Sequence, residues 1–213
     1  DVTGVQTCAL PILAKVSDTT ELIGDIISHW SKLANGCRTI VFASSIPHSH
    51  HIVDRFRAIG VAAEHIDCYM DPDEKKKKIE LFSNGKITVL SNVALLGEGL
   101  DVPACKCVIL ARPTKSLIRY IQMVGRAMRP YEGYEKALLL DHSGTVARLG
   151  FPTEEREIKL DDGTVQKSKK KEQEEPLPKK CPSCSFMMPP KSPFCPMCGY
   201  KSRRNHDVVE TTD

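Results

Sequence analysis

The chain has 213 residues, of which 41% are hydrophobic and 6% aromatic, and its 30 basic and 27 acidic residues leave a net charge of +3. This length allows one main domain of about 150 residues and a small appendage, but not two large domains. No apolar run approaches the roughly 18 residues needed to cross a bilayer, so we expect no membrane partner. The charge balance argues neither for nor against nucleic acid. Five of the nine cysteines are scattered singletons, which suggests reduced thiols in a cytoplasmic protein, and we expect that protein to be a monomer.

Residues 1–16 form a poorly defined N-terminus without a hydrophobic period. The opening DVTGVQTCALPI resembles translated sequencing-adapter sequence, and the chain starts at Asp1 rather than at a methionine. We therefore expect an artefactual start on a piece of a longer protein. The alternative is an ordinary N-terminal strand or loop.

The first predicted element is an amphipathic helix in TTELIGDIISHWSKLANG, which follows a capping signal at Ser17 and ends at Gly36. Its apolar positions at helical spacing are Leu22, Ile26, Trp30 and Leu33. We expect these side chains to face the core.

A buried strand, RTIVFAS, is predicted next, followed by a helix in PHSHHIVDRFRAIG that ends at Gly60. The inward positions expected for this helix are Ile52, Val53, Phe56 and Ile59. The same order then repeats, with strands in VAAEHID, KITVLSN, CKCVILA and KALLLDH and helices in DPDEKKKKIELFSNG and SLIRYIQMVGRAM. This alternation predicts an α/β domain over residues 17–150, with a parallel sheet flanked by helices and ligands at the carboxyl ends of the strands.

Residues 151–180 are dominated by charges of both signs, and apolar residues are too sparse for a core. We interpret this segment as a charged linker, with a short hairpin as an option at EIKLDDGTVQ. It leads to a cysteine-rich module at residues 181–200 and a tail at residues 201–213.

Two arginines stand out in IQMVGRAMRP. In a helix, Gln122, Arg126 and Arg129 would project from one face, and Pro130 would end the helix. Gly125 would allow a close approach to the backbone. Two guanidinium groups on one face suit a polyphosphate, because each stays charged and makes bidentate hydrogen bonds. The alternative is a surface helix whose arginines pair with nearby acids.

Three stretches together resemble superfamily 2 helicases and translocases. SNVALLGEGLDVP at residues 91–103 is similar to motif V, QMVGRAMR to motif VI, and TIVFASS at residues 39–45 to motif IV. The resemblance covers roughly residues 17–145 in the family's order. It implies a RecA-like domain, the second of two that face each other across an ATP-binding cleft.

The resemblance also implies roles for individual residues. Arg126 and Arg129 would be arginine fingers toward the γ-phosphate of ATP, and Gln122 would help to place them and the attacking water. The remaining residues that correspond to the motifs are Gly99 and Asp101 near the nucleotide, and Ser44, Ser91 and Asn92 on the nucleic-acid backbone.

The chain departs from the family pattern in lacking a GxxxxGK[ST] phosphate loop and a DExH or DEAD box. ATP with Mg²⁺ would therefore be held mainly by the protein's own first RecA-like domain, which is missing here, and this chain alone should not hydrolyse ATP. Lysines also occupy residues 75–78, where relatives often have an arginine. We interpret that run as a solvated face rather than a nucleic-acid contact.

Four cysteines form two CxxC pairs separated by ten residues in CPSCSFMMPPKSPFCPMCG. Thiolates at this spacing predict a tetrahedral structural Zn²⁺ site, since so few apolar residues could hardly fold without metal. The ligands would be Cys181, Cys184, Cys195 and Cys198. A redox or disulfide role is the weaker reading, and the basic residues nearby leave nucleic-acid contact and protein docking both open.

Two other groups are weaker candidates. His48, His50 and His51 begin a helix but have no partner cluster, which favours a solvated helix terminus over a metal site. Cys105 and Cys107 alternate along a strand, so their side chains point to opposite faces and are expected to pack in the core.

The sequence thus favours the C-terminal portion of an ATP-dependent helicase or translocase with an appended zinc ribbon. DNA is favoured over RNA because QMVGRAMRP is more similar to DNA-repair and restriction motors than to DEAD-box RNA helicases, whose version usually begins with histidine. Two alternatives remain: a non-catalytic nucleic-acid or protein-binding module, and the motor segment of a restriction or nuclease complex. Upstream sequence would distinguish them.

Overall fold

The computed structural model describes residues 20–93, 95, 105–129, 136–154, 177–190 and 192–201. The chain divides into two compact units, residues 1–145 and 146–213. Its elements in chain order are α1 (Thr20–Leu33), β1 (Thr39–Phe42), α2 (Ile46–Ala58), β2 (Ala63–Asp67), α3 (Pro72–Ser83), β3 (Val89–Val93), β4 (Cys107–Leu110), α4 (Leu117–Val124), β5 (Leu138–Asp141), α5 (Thr145–Leu149), β6 (Lys179–Lys180) and β7 (Met187–Met188).

The first unit contains a five-stranded sheet in the order β2-β3-β1-β4-β5, and every pair of neighbouring strands is parallel. At the centre, Thr39 of β1 is in register with Val89 of β3 and Cys107 of β4. This confirms the predicted α/β class with a parallel sheet and flanking helices. Because the strands are parallel, all their carboxyl ends lie along one edge of the sheet.

One face of the sheet packs against α1 and α2. At the centre of this core, the rings of Trp30 and Phe56 meet edge to face with centroids 5.1 Å apart. The indole Nε1 of Trp30 donates to Thr39 Oγ1 at 2.8 Å, so the one polar atom of this side chain is satisfied although the residue is buried. Every residue of β1 and β4 is buried, which means that both faces of the central strands are covered.

The expected inward positions were wrong at the last turn of two helices. Leu33, the last residue of α1, is 46% exposed, and Ala34 is buried instead. Ile59, which caps the C-terminus of α2, is 50% exposed. In α1 the helical period continues, because the N–H of Ala34 donates to the Trp30 carbonyl at 2.8 Å and Ala34, four residues after Trp30, takes the inward position. At Ile59 the chain leaves the helix, since Gly60 follows with a φ of +78°.

The arginine segment also differs from its prediction, because α4 ends at Val124 rather than at Pro130. Gly125 to Ala127 form a turn, in which the N–H of Ala127 donates to the Val124 carbonyl at 2.9 Å. A Cβ added at Gly125 would lie 2.9 Å from the carbonyl oxygen of Ile121. The preceding helical turn therefore already approaches this glycine closely.

In the second unit, β6 and β7 form a short antiparallel hairpin, with Lys179 opposite Met188 and Lys180 opposite Met187. The two lysines belong to the last residues of the predicted linker. Residues 1–16, the proposed hairpin at EIKLDDGTVQ and most of the linker lie outside the described residues. Within the described part of the chain, no helix is long and apolar enough to span a membrane.

Candidate functional site

The two predicted arginine fingers lie in different environments. Arg126 is half-buried, and its backbone carbonyl accepts a hydrogen bond from the N–H of Cys105 at 3.4 Å, which ties the turn to the start of β4. Arg129 and Gln122 are exposed. Since α4 ends at Val124, these three residues do not share one regular helical face. The backbone of Arg126 is tied to the segment just before β4, whereas Arg129 follows the turn.

Arg126 and Asn92 line one small cavity at the end of β3. Its other lining residues are apolar: Ile40, Phe42, Ile66, Leu90 and Leu95. The structure therefore brings together an arginine predicted to face ATP and an asparagine predicted to face nucleic acid. The sequence separation of Asn92 and Arg126 does not indicate that they lie close together. Their proximity depends on the strand order, in which β3 and β4 flank β1.

The predicted nucleic-acid contacts Ser44 and Asn92 are both buried at the carboxyl ends of their strands. The amide Nδ2 of Asn92 donates to the carbonyl of Val41 at 2.9 Å. The hydroxyl of Ser44 lies 2.7 Å from Nδ1 of His48. Both side chains thus have hydrogen-bond partners within the domain. In this conformation, a nucleic-acid strand could contact only the part of each side chain that remains exposed at the edge of the sheet.

Ser91 is the most deeply placed of the predicted contacts. Its hydroxyl is fully buried and lies 2.6 Å from that of Ser49 in α2, which in turn is 2.7 Å from Nδ1 of His65. Nε2 of His65 is 2.8 Å from Oδ2 of Asp67. We call these four residues the buried polar chain. Sequence reasoning missed it because its members come from α2, β2 and β3.

Charge within the buried polar chain is set by burial and by internal hydrogen bonds. Burial lowers the pKa of His65, and the hydrogen bond with Asp67 only partly opposes this shift. Burial raises the pKa of Asp67, but hydrogen bonds from His65, Tyr69 N and Met70 N outweigh it and leave the pKa lowered. A serine, a histidine and an aspartate are linked here by successive hydrogen bonds, but Ser49 has no exposed surface. The arrangement therefore serves packing rather than nucleophilic catalysis.

Burial also tests the expectations for the weaker candidates, the histidines at the start of α2 and the cysteines near β4. His48 is buried, contrary to the expectation of a solvated helix terminus, whereas His50 and His51 are exposed as expected. Cys105 and Cys107 are buried, as expected for packing residues, and burial raises the pKa of both thiols to about 12. Buried thiols held protonated in this way are poor nucleophiles.

The lysine run at residues 75–78 is only partly a solvated face. Lys76 and Lys77 are exposed, but Lys75 is buried and Lys78 forms ion pairs with Glu64 at 3.3 Å and Glu74 at 3.0 Å.

Gly99 and Asp101, predicted to lie near the nucleotide, fall outside the described residues.

Arg112 follows β4 at the carboxyl edge of the sheet and is half-buried. Burial lowers its pKa, and the positive charge of Arg119 lowers it further. Two guanidinium groups are therefore near each other at the start of α4. Neither residue was predicted from the sequence, since neither belongs to motif IV, V or VI.

In the second unit, the four predicted ligands Cys181, Cys184, Cys195 and Cys198 converge. Their sulfur atoms all lie within 4.8 Å of one another, with 3.7 Å between Cys181 and Cys198 and 3.6 Å between Cys184 and Cys195. A tetrahedral zinc site with Zn–S bonds of about 2.3 Å has S–S edges of about 3.8 Å. The described donor set therefore fits a four-thiolate zinc site in number, type and spacing.

The two CxxC pairs are built alike. In CPSCSF, the N–H of Cys181 donates to the carbonyl of Phe186 at 2.8 Å, and Ser185 has a φ of +60°. In CPMCGY, the N–H of Cys195 donates to Tyr200 at 2.8 Å, and Gly199 has a φ of +74°. We call these two turns the knuckles. Each one buries its first cysteine, exposes its second, and ends in an aromatic residue.

Crowding of the sulfurs also affects their ionisation. A backbone hydrogen bond from Phe186 lowers the pKa of Cys184, but desolvation and hydrogen bonds with the other three cysteines outweigh it and raise the pKa to about 12.

Comparison with known proteins identifies the first unit. The profile of the helicase conserved C-terminal domain matches residues 15–131, more than half of the chain. The chain belongs to this family. The match confirms the resemblance to the C-terminal RecA-like domain of superfamily 2 helicases, and it spans Ser44, Ser91, Asn92 and both arginines.

Individual relatives agree with this family assignment. A 51.5 kDa protein of a Lactococcus phage is 35% identical over 181 residues, covering 84% of this chain and 39% of that protein. ATP-dependent DNA helicase Q1 of Pongo abelii is 28% identical over 115 residues, covering 54% of this chain and 18% of that protein. This chain thus spans less than half the length of these relatives.

A solved structure supports the fold. The C-terminal domain of the DEAD-box protein Dbp5 aligns with a TM-score of 0.52 at 16% identity, covering 62% of this chain and 78% of that chain. At this identity the likeness concerns the fold alone. The four-cysteine module at residues 181–198 lies beyond the part of the chain that the family profile matches.

Proposed function

We propose that this chain is the C-terminal motor portion of an ATP-dependent helicase or translocase that acts on DNA as a cytoplasmic monomer. The family assignment and the helicase among its relatives support ATP-driven work on nucleic acid. The observation that most favours a motor over a passive scaffold is the position of Arg126, which the sheet holds half-buried beside Asn92.

In this proposal, Arg126 and Arg129 stabilise the charge that develops on the γ-phosphate during hydrolysis. ATP with Mg²⁺ is held mainly by a first RecA-like domain elsewhere in the longer protein. A guanidinium whose backbone is fixed loses little entropy when it binds phosphate, which suits Arg126 for a finger. Gln122, exposed on α4, helps to place the arginines and the attacking water, and Gly99 and Asp101 contribute near the nucleotide.

Contacts to the DNA backbone are proposed at the carboxyl edge of the sheet, from Ser44, Ser91 and Asn92. The hydroxyl of Ser91 is buried against Ser49, so its contribution would be to the shape of this edge and not a direct hydrogen bond. Because Asn92 and Arg126 border the same cavity, a strand bound at Asn92 would alter the surroundings of the arginine. This is a physical route by which DNA could stimulate ATP hydrolysis.

We further propose that Cys181, Cys184, Cys195 and Cys198 hold a structural Zn²⁺. Four thiolates leave no open ligand position, so the metal would link the two knuckles and take no part in hydrolysis. The module has few apolar residues with which to fold otherwise, and zinc binding would supply its folding free energy.

The decisive experiment measures DNA-stimulated ATPase activity of the complete protein with Arg126→Ala and Arg129→Ala. An arginine finger contributes about 10³-fold or more to the rate, so kcat should fall by that factor while KM for ATP changes far less. Arg126→Lys should recover little of the rate, because lysine keeps the charge but loses the bidentate fork.

Arg55→Ala is the matched control, since Arg55 is exposed on α2 and belongs to none of the motifs. Its ATPase rate should equal that of the unaltered protein. If either finger variant loses only a few-fold in kcat, the assignment of that arginine is wrong. Stimulation by DNA but not by RNA of the same sequence supports the proposed substrate, and the reverse result contradicts it.

Zinc is tested by metal analysis of the purified chain, which should contain one zinc ion. Cys184→Ser should reduce the content to near zero, whereas Cys68→Ser, which alters a cysteine in the other unit, should leave it unchanged. A chain without zinc, purified in the absence of chelators, would contradict the metal assignment.

A further inference from the structure

The second unit exposes an unusual share of its aromatic side chains. Phe186 and Tyr200 are each 39% exposed, and Phe194 is 50% exposed. Exposed large apolar side chains that occur as a group, rather than singly, mark binding surfaces. These rings are therefore candidates for contact with a partner.

Basic residues flank these rings. Lys179 and Lys180 lie on β6 and are exposed. Lys201 is also exposed, and its backbone pairs with that of Phe194 in an isolated antiparallel β-bridge. Residues 177–204 contain six lysines and arginines and no aspartate or glutamate. A zinc ion with four thiolates has a formal charge of about −2, so the segment remains clearly positive when the metal is bound.

The knuckles place two of the rings in equivalent positions. Phe186 follows Cys184 by two residues, and Tyr200 follows Cys198 by two residues. In each knuckle the backbone carbonyl of the aromatic residue accepts a hydrogen bond from the first cysteine, which fixes the backbone from which the ring projects. Each ring therefore projects from an equivalent, hydrogen-bonded position beside the four-cysteine cluster, and we call Phe186 and Tyr200 the knuckle platform.

We propose that the knuckle platform of Phe186 and Tyr200, with Lys179, Lys180 and Lys201, binds single-stranded nucleic acid, the rings stacking on bases and the lysines contacting phosphates. This binding site is separate from the helicase C-terminal domain and does not depend on ATP hydrolysis.

Charge and ring chemistry favour nucleic acid over a protein partner. Stacking platforms interleaved with basic residues are the usual means of binding single strands without reading their sequence, because every base has a flat π-face and every nucleotide a phosphate. A docking surface for protein would more typically have a charge-depleted apolar centre. Here the backbone of the exposed residue Phe194 pairs with that of Lys201 in an antiparallel β-bridge, so an aromatic and a basic residue are neighbours.

The test measures the affinity of the full chain, purified with zinc, for fluorescein-labelled oligothymidine by fluorescence anisotropy. Phe186→Leu combined with Tyr200→Leu keeps apolar bulk but removes the flat rings. We expect affinity to fall by about five- to a hundredfold per lost ring. Tyr69→Leu is the matched control, because Tyr69 is 76% exposed in the other unit and its loss should not change binding.

A second variant tests the phosphate contacts. Replacing Lys179, Lys180 and Lys201 with glutamine should weaken binding and make the slope of log affinity against log salt shallower by about two, since each contact to a single strand contributes about 0.7. Replacing the exposed pair Lys76 and Lys77 with glutamine should change neither quantity.

Zinc content of every variant shows whether the module remains folded, and the glutamine variant provides a second readout if the leucine variant loses metal. Oligouridine in place of oligothymidine distinguishes RNA from DNA as the preferred strand. If both variants retain zinc and bind both oligonucleotides within twofold of the unaltered chain, the proposal is overturned and the surface belongs to a protein partner.

Discussion

Replacing Ser49 with alanine would cut the buried polar chain at its centre. The Ser49 hydroxyl lies 2.6 Å from that of Ser91 and 2.7 Å from Nδ1 of His65, and all three residues are buried. Alanine removes both contacts at once and leaves a space too small to hold a water molecule with several polar partners. Two buried polar groups would then lack one hydrogen bond each.

The expected magnitude follows from this geometry. Leaving one buried polar group unsatisfied costs about 1–3 kcal/mol, so Ser49→Ala should lower the free energy of unfolding by about 2–4 kcal/mol after local relaxation. That is a large part of the roughly 5–15 kcal/mol typical of a whole domain. By contrast, Ser83→Ala removes an exposed hydrogen bond of 2.8 Å to the carbonyl of Ile79 and should change the stability by no more than about 0.5 kcal/mol.

Urea unfolding followed by tryptophan fluorescence is a direct assay, because Trp30 is the single tryptophan of the chain and is buried in the core of the first unit. A double variant, Ser49→Ala with Ser91→Ala, should lose less than the sum of the two single losses, since both remove the same contact. Equal losses for Ser49→Ala and Ser83→Ala, or strictly additive losses in the double variant, would refute the reasoning.

Two further predictions concern glycines and pH. Gly125→Ala should destabilise the fold by about 1 kcal/mol, because the new Cβ would lie 2.9 Å from the Ile121 carbonyl oxygen. Gly24→Ala should stabilise α1 by roughly 0.5–1 kcal/mol, because nothing lies within 4 Å of the new Cβ. Urea midpoints compare the two variants, and a change of the same sign in both would contradict the geometry. Stability should also fall as the pH drops below 6.5, because the pKa of His65 is lower in the folded state and the unfolded chain takes up the proton first. A second loss of stability should begin below about pH 3.8, because the pKa of Asp67 is lower in the folded state and the unfolded chain again takes up the proton first. Urea midpoints measured from pH 8 to pH 3 check both steps, and a His65→Gln variant that keeps the first step would show that another group causes it.

Local patterns were sufficient for the order of the elements and for the parallel sheet. Runs such as TIVF are β-branched and apolar, and they alternate with segments of helical period, so the class of fold follows from residues close together in the chain. The same local reasoning failed where a helix ends. Ile59 continues the apolar period, yet the helix ends there, and a period contains no information about its own end. At Leu33 both i+3 and i+4 from Trp30 are apolar, and only the structure shows that Ala34 is the buried one.

The arginine motif was recognisable, but its geometry was not. Gly125 is the one poor helix former between Leu117 and Met128, and it caps α4, although the motif's spacing suggested a helix that continues to Pro130. The hydrogen bond from Cys105 N–H to the Arg126 carbonyl then ties the turn to the segment before β4. Placement of Arg126 beside Asn92 likewise depends on the strand order, which sequence spacing does not disclose.

By itself, the sequence determined that four thiols at CxxC spacing would meet, that strands and helices would alternate, and that motifs V and VI would follow one another. These features depend on short spacings that the covalent chain imposes. Only the tertiary structure decided that the hydroxyl of Ser91 is buried against Ser49, and that Arg126 shares a cavity with Asn92. The physical reason is that both contacts join strands and helices far apart in sequence, and their partners become neighbours only when the sheet forms and buries its two faces.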